Sequence, residues 1–216
     1  RIIVADDTEA YAGFGEPKAV VETGKGMNCI SGIGIDSCKR NPRAVDLLWR
    51  AGKGSYLNDV KFFGGHGYVA KSTQSGGSGF FSERRETEAD PWDCRYSSLW
   101  IQGGGGTFKD IWSASPYAEA GILISDTETE SRMYCISVEH HVRNEVKMRN
   151  VRNFCFYAIQ TEEEKSESYE ALPYELTDCR DLCFYNVWLY RVTTMTGACR
   201  CAMELWNCEE IEFRNL

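Results

Sequence analysis

The sequence predicts an all-β chain wound as a parallel β-helix, and three observations carry this. First, apolar residues three apart recur as pairs: Ile30/Ile33, Leu57/Val60, Phe108/Ile111, Phe156/Ile159, Phe184/Val187 and Phe213/Leu216. Their first members are separated by 27, 51, 48, 28 and 29 residues, and a period of about 20–50 residues marks a solenoid. Second, the surrounding runs alternate as half-buried strands do: Phe154/Phe156, Leu182/Phe184 and Ile211/Phe213 each place two apolar groups on one face. Third, Asp59, Asp110, Asn186 and Asn215 stand just before the second apolar member, where a residue that tolerates left-handed backbone suits a tight turn. No stretch sustains a 3.6-residue helical period.

The elements follow in order. Residues 1–26 read as an irregular lead-in, with turn formers at Gly13, Gly15 and Pro17, and coils occupy 27–216. Leu47 to Trp49 lie in a strand-like run. The interval of 51 contains an insertion at 71–97, first Gly/Ser-rich and then mixed in charge. The interval of 48 is two steps of 24, so one copy of the pair is degenerate. Gly103 to Gly106 lack the Gly-Lys-Ser/Thr of a phosphate loop and read as a coil corner. Residues 162–172 form an acidic bulge. Both excursions leave the coil on the flank that follows the second apolar member. The chain begins at Arg1 and Leu216 falls in mid-coil, so we expect further chain or a partner subunit to cover the open coil ends.

Composition narrows the function. The net charge of −8 argues against nucleic acid, whose phosphates want clustered Lys and Arg. No run approaches the roughly 18 apolar residues of a membrane helix. The acidic balance suits a neutral sugar better than a polyanion. None of the ten cysteines forms a Cys-x-x-Cys pair, so they read as free buried thiols packed as small hydrophobes, with disulfides the alternative. That usage points to a cytoplasmic setting or an anaerobic producer. Cys179 and Cys208, 29 residues apart, are placed to stack in neighbouring coils.

The candidate chemistry is carboxylate chemistry. Glu139 stands 23 residues before Glu162 and 24 before Glu163. One coil therefore brings a pair to about 5 Å, the spacing of neighbouring strands. Two carboxyls that close share a proton; a separation of about 5 Å suits a retaining glycosidase and a wider one, about 6.5–9.5 Å, an inverting one. Asp126, in the alternating run Asp126/Glu128/Glu130, is a further acid/base candidate. His140 and His141 face opposite ways on a strand, so only one reaches a given cleft: His141 is the candidate with a catalytic role, His140 the candidate for substrate contact. A metal site using both is not expected, and no cofactor is called for. His66, between Gly65 and Gly67, falls on the same flank of the repeat as the acidic run. Trp92, Trp100, Trp112 and Tyr117 are candidate stacking platforms for sugar rings, and Arg95 is a candidate cation for an acidic sugar.

The phrases GIGIDSCKRNPRAVDLLW, DVKFFGGHG, SLWIQGGGGTFKDIWSASPYAEAGILISD, SVEHHVRNEV and YAIQTEEE resemble bacterial right-handed parallel β-helix proteins of the pectate-lyase-3 type, related to polygalacturonase-like glycoside hydrolases. Gly65-His66-Gly67 matches a tripeptide of the polygalacturonase signature, whose Asp-Asp pair is not found one coil earlier. The resemblance implies a right-handed coil, a carbohydrate substrate and an extracellular or cell-surface setting. The expectation is a glycoside hydrolase acting on a poly- or oligosaccharide. The alternatives are a uronate lyase or epimerase with His or Tyr as base and Arg95 or Arg191 against the acid, and a non-catalytic β-helix that binds glycan or a second subunit.

Overall fold

The computed structural model describes residues 1–63, 95–115, 117–163, 171–191 and 200–216. Strands stack in parallel as two sheets of one solenoid of about six turns. Sheet A contains β1 (Ile2–Ile3), β3 (Cys29–Asp36), β5 (Tyr56–Phe63), β7 (Gly106–Ala114), β9 (Ser131–Glu139), the second half of β10 (Asn144–Glu163), β12 (Arg180–Arg191) and β14 (Glu209–Arg214). Sheet B contains β2 (Lys18–Glu22), β4 (Ala44–Trp49), β6 (Arg95–Gln102), β8 (Ala118–Thr127), the first half of β10, β11 (Leu172–Thr177) and β13 (Met203–Trp206). The chain thus alternates between sheets. The only helical element among the described residues is a 3-10 turn at Glu9–Tyr11.

The first apolar members form one internal column in register: Ile30, Leu57, Phe108, Met133, Phe156, Phe184 and Phe213. Met133, with Ile136, is the degenerate copy that the doubled interval implied. The second members align as Ile33, Val60, Ile111, Ile136, Ile159 and Val187. The aromatic part of the column is a stack, with ring centroids 4.6 Å apart for Phe156 and Phe184 and 5.2 Å for Phe184 and Phe213. Sheet B supplies the facing wall through Leu47, Leu99, Ile122, Val146 and Tyr174.

A spacing of three, where a strand would give two, has a backbone cause. Between the two columns stand Gly32, Asp59, Asp110, Cys135, Ala158, Asn186 and Asn215, all left-handed, with φ between 49° and 68°. One such residue inserted into each strand returns the next side chain to the interior and bends the coil. Asp, Asn and Gly carry this conformation at low cost. Cys135 and Ala158 carry it without a side chain that bonds locally. Asn215 donates through Nδ2 to Asn186 Oδ1 at 3.0 Å, one step of an amide ladder along the outside of the coil.

The lead-in 1–26 already belongs to the stack, because β1 pairs with β3 and β2 with β4. Residues 95–97 of the expected insertion open β6. Gly103 to Gly106 form the β6–β7 corner: Gly103 has φ 65°, and a Cβ on Gly105 would lie 2.3 Å from Ser131 Oγ. Among the described residues, Cys29, Cys38, Cys135, Cys155, Cys179, Cys183, Cys201 and Cys208 are free thiols, and of these only Cys179 is buried. Burial pushes the Cys179 thiol up to about 11. Glu209 N donates to Cys179 O at 3.0 Å, which sets Cys179 beside Cys208 in the next coil. No helix of the described residues is long and apolar enough to cross a membrane.

Candidate functional site

The site lies where sheet A ends. Alternation along β9 turns Val138 inward and Glu139 outward; along β10 it turns Thr161 and Glu163 inward and Gln160 and Glu162 outward. Parallel register then sets Glu139 directly beside Glu162, Ser137 beside Gln160, and Glu162 beside Tyr190.

Glu139 is 8% exposed and Glu162 is half-buried. The Ser137 hydroxyl donates to Glu139 Oε1, and Gln160 Nε2 donates to the same oxygen at 3.3 Å. The Gln160 amide also reaches Glu162 Oε2 at 3.5 Å, and the Tyr190 hydroxyl donates to that oxygen at 2.5 Å. Gln160 thus bridges the two carboxylates. His140, only 1% exposed, closes the cluster: its Nε2 lies 3.8 Å from Glu139 Oε2, and its backbone N–H donates to Glu162 O at 3.1 Å. One donor atom from each of Glu139, His140 and Glu162 falls within a common 4.8 Å. Along the coil axis, Trp112, Ser137, Gln160 and Trp188 form an outward ladder, with Trp188 68% exposed. Three strand steps separate the tryptophans, roughly 14 Å.

A second polar cluster lies behind the first, inside the coil. Ser113 Oγ is 3.0 Å from His141 Nε2, and His141 Nδ1 is 2.5 Å from Glu145 Oε2. All three are buried. A glycine is required opposite them, because a Cβ on Gly121 would lie 2.6 Å from His141 Cε1. Burial pushes the Glu145 carboxyl well up and the His141 imidazole well down. Both shifts act against charge on the buried pair. The His141 backbone N–H donates to Glu145 Oε1 at 3.1 Å, which pins the turn that presents His140.

Glu163 also turns inward and is fully buried; burial, and then Glu145, push it up to about 8, with Arg191 Nε 4.0 Å away pulling the other way. The structure therefore brings Glu139, His140 and Glu162 together at the end of sheet A, the first two buried and Glu162 half-buried, with Trp112 on the outward ladder beside them. It sets Glu163 and His141 behind them.

Asp126 is in neither group. It occupies the opposite corner, where sheet B passes into sheet A, with φ 54°, an ion pair to Arg149 at 3.7 Å and a hydrogen bond from Asn150 at 3.2 Å. Arg95 is not a surface cation. It is 0% exposed and forms a buried ion pair with Asp46, 2.6 Å between Nη1 and Oδ2, and its other amine donates to Ser115 Oγ at 2.7 Å. The strand alternation of β6 aims it into the coil, so it offers a substrate no contact. Tyr117 is half-buried just before β8, its backbone carbonyl accepting from Arg95 N. His66 and Trp92 lie outside the described residues.

Sequence reasoning passed over Ser137, Gln160, Trp188, Tyr190 and Glu145. The outward residues were findable by adding the local repeat of 28 to Gln160 and Glu162, which gives Trp188 and Tyr190. No family model matches the chain, and no curated protein matches it.

Proposed function

We propose that this β-solenoid is a carbohydrate-active enzyme, a glycoside hydrolase that takes a poly- or oligosaccharide along the outer face of sheet A. The observation that carries the reading is the in-register pair Glu139 and Glu162, whose donor atoms fall within 4.8 Å. Retaining glycosidases hold their two carboxyls about 5–5.5 Å apart. One carboxyl protonates the leaving oxygen while the other attacks the anomeric carbon; water then releases the sugar. Ser137, Gln160 and Tyr190 fix the two groups through hydrogen bonds, and fixed geometry is what such a displacement needs. Trp112 and Trp188 bracket the pair and offer faces to sugar rings on either side. The lyase alternative wants a cationic floor, and Arg95 and Arg191 both face the interior, paired with Asp46 and Glu163.

The test is a screen of neutral and uronate-containing polysaccharides. It is scored separately for new reducing ends and for the absorbance of unsaturated products. Reducing ends without unsaturation are expected. Unsaturated products would replace the hydrolase reading with a lyase, and binding with no product at all would leave a glycan-binding module.

A further inference from the structure

Glu139, His140 and Glu162 have the donor set of a metal centre as well as that of a carboxylate pair. We infer that these three side chains bind a first-row divalent cation of the Zn2+ type at the end of sheet A, where Glu139 and His140 are buried and Glu162 is half-buried. The inference shares residues with the glycan site but does not depend on a glycan being the substrate.

The donors are two carboxylate oxygens and one imidazole nitrogen. An imidazole in the set turns selectivity away from Ca2+ and Mg2+, which take oxygen ligands, and toward Zn2+ and its neighbours. Three protein ligands with a further position open is the pattern of a reactive zinc site, whereas structural zinc is closed by four. The surroundings are ordered as such ligands require. On Glu139, Ser137 and Gln160 hold Oε1, and Oε2 is the atom turned toward the imidazole. On Glu162, Tyr190 and Gln160 both hold Oε2. Hydrogen bonds of this kind fix ligating carboxylates and support affinity. His140 is fixed from both sides: its N–H bonds Glu162 O, and the buried Ser113–His141–Glu145 cluster anchors the next residue.

Distance decides whether the cluster can close. Ligand atoms about 2.05 Å from a tetrahedral zinc lie about 3.3 Å apart. The Glu139 Oε2 to His140 Nε2 separation is 3.8 Å, so this edge must shorten by about half an ångström. The edges to Glu162 lie within 4.8 Å and must shorten by up to about 1.5 Å, a movement that side-chain rotation of the two glutamates supplies.

Calorimetry on chelator-treated protein, with no sugar present, tests the inference. One Zn2+ per chain is expected, with affinity at least about tenfold weaker in both His140→Ala and Glu162→Gln, the scale on which losing even an outer-shell partner registers. Excess Ca2+ should not displace the Zn2+. Co2+ serves as the spectroscopic probe, because the chain has ten cysteines: oxygen and nitrogen ligands give a visible band with no thiolate charge transfer. No binding, undiminished binding in both variants, displacement by Ca2+, or a thiolate band would each overturn the assignment. Thermal melts of the metal-free variants confirm that they are folded. Zinc binding without glycan turnover would keep this site and remove the hydrolase; turnover in metal-free protein with no zinc binding would do the reverse.

Discussion

Glu162→Gln should lower the rate of reducing-end release by at least about 100-fold on whichever glycan the screen identifies, with the melting temperature of the metal-free protein unchanged. Losing a positioned acid or base costs about 10²–10⁴ in rate. The amide keeps the shape of the side chain and its contact with the Tyr190 hydroxyl, but it can neither deliver a proton nor attack carbon. Glu139→Gln should behave alike, because the two carboxyls act as a unit and such losses are not additive. Asp126→Asn is the contrast. Asp126 stands at the opposite corner of the coil, paired with Arg149, and its substitution should change the rate less than twofold. An Asp126→Asn loss comparable to that of Glu162→Gln would mean that the reacting bond lies elsewhere.

Asp46→Leu should destabilise the fold by about 3–5 kcal/mol in urea unfolding, the usual cost of leaving one member of a buried ion pair uncompensated. Arg95 and Asp46 are both fully buried. The guanidinium also holds Ser37 and Ser115, which places it between β4, the end of β7 and its own strand. Combining Asp46→Leu with Arg95→Met should recover a large part of the loss, because apolar residues of similar size often replace a buried pair without penalty. A single-variant loss under about 1 kcal/mol would show that the pair is solvated in solution.

The fold was legible because a solenoid writes one solution many times. Every first apolar member lies in a single column, and the Asp and Asn before the second member mark the left-handed residue that sets the spacing of three. Met133 was hidden because its intervals, 25 from Phe108 and 23 to Phe156, average out to the 24 that the sequence showed. The Glu139–Glu162 contact was legible for the same reason: equal positions in adjacent coils are neighbours. Which member of Glu162 and Glu163 faces out depends on phase, and a run of glutamates carries no polarity contrast to set the phase. Tyr190 and Trp188 were missed because the next coil is 28 residues long, not 23. Arg95 was misjudged because its partner, Asp46, is 49 residues away across the insertion. A surface Arg and a buried, paired Arg look alike until the partner is found.

A crystal structure of the Glu162→Gln variant with an oligosaccharide substrate bound tests the glycosidase assignment. The sugar chain should run along the coil axis over the outer face of sheet A, with a ring against Trp112 or Trp188. A glycosidic oxygen should lie within hydrogen-bond reach of Glu139, about 3 Å. An oligosaccharide seated on sheet B, or at the Asp126 corner, would contradict the account.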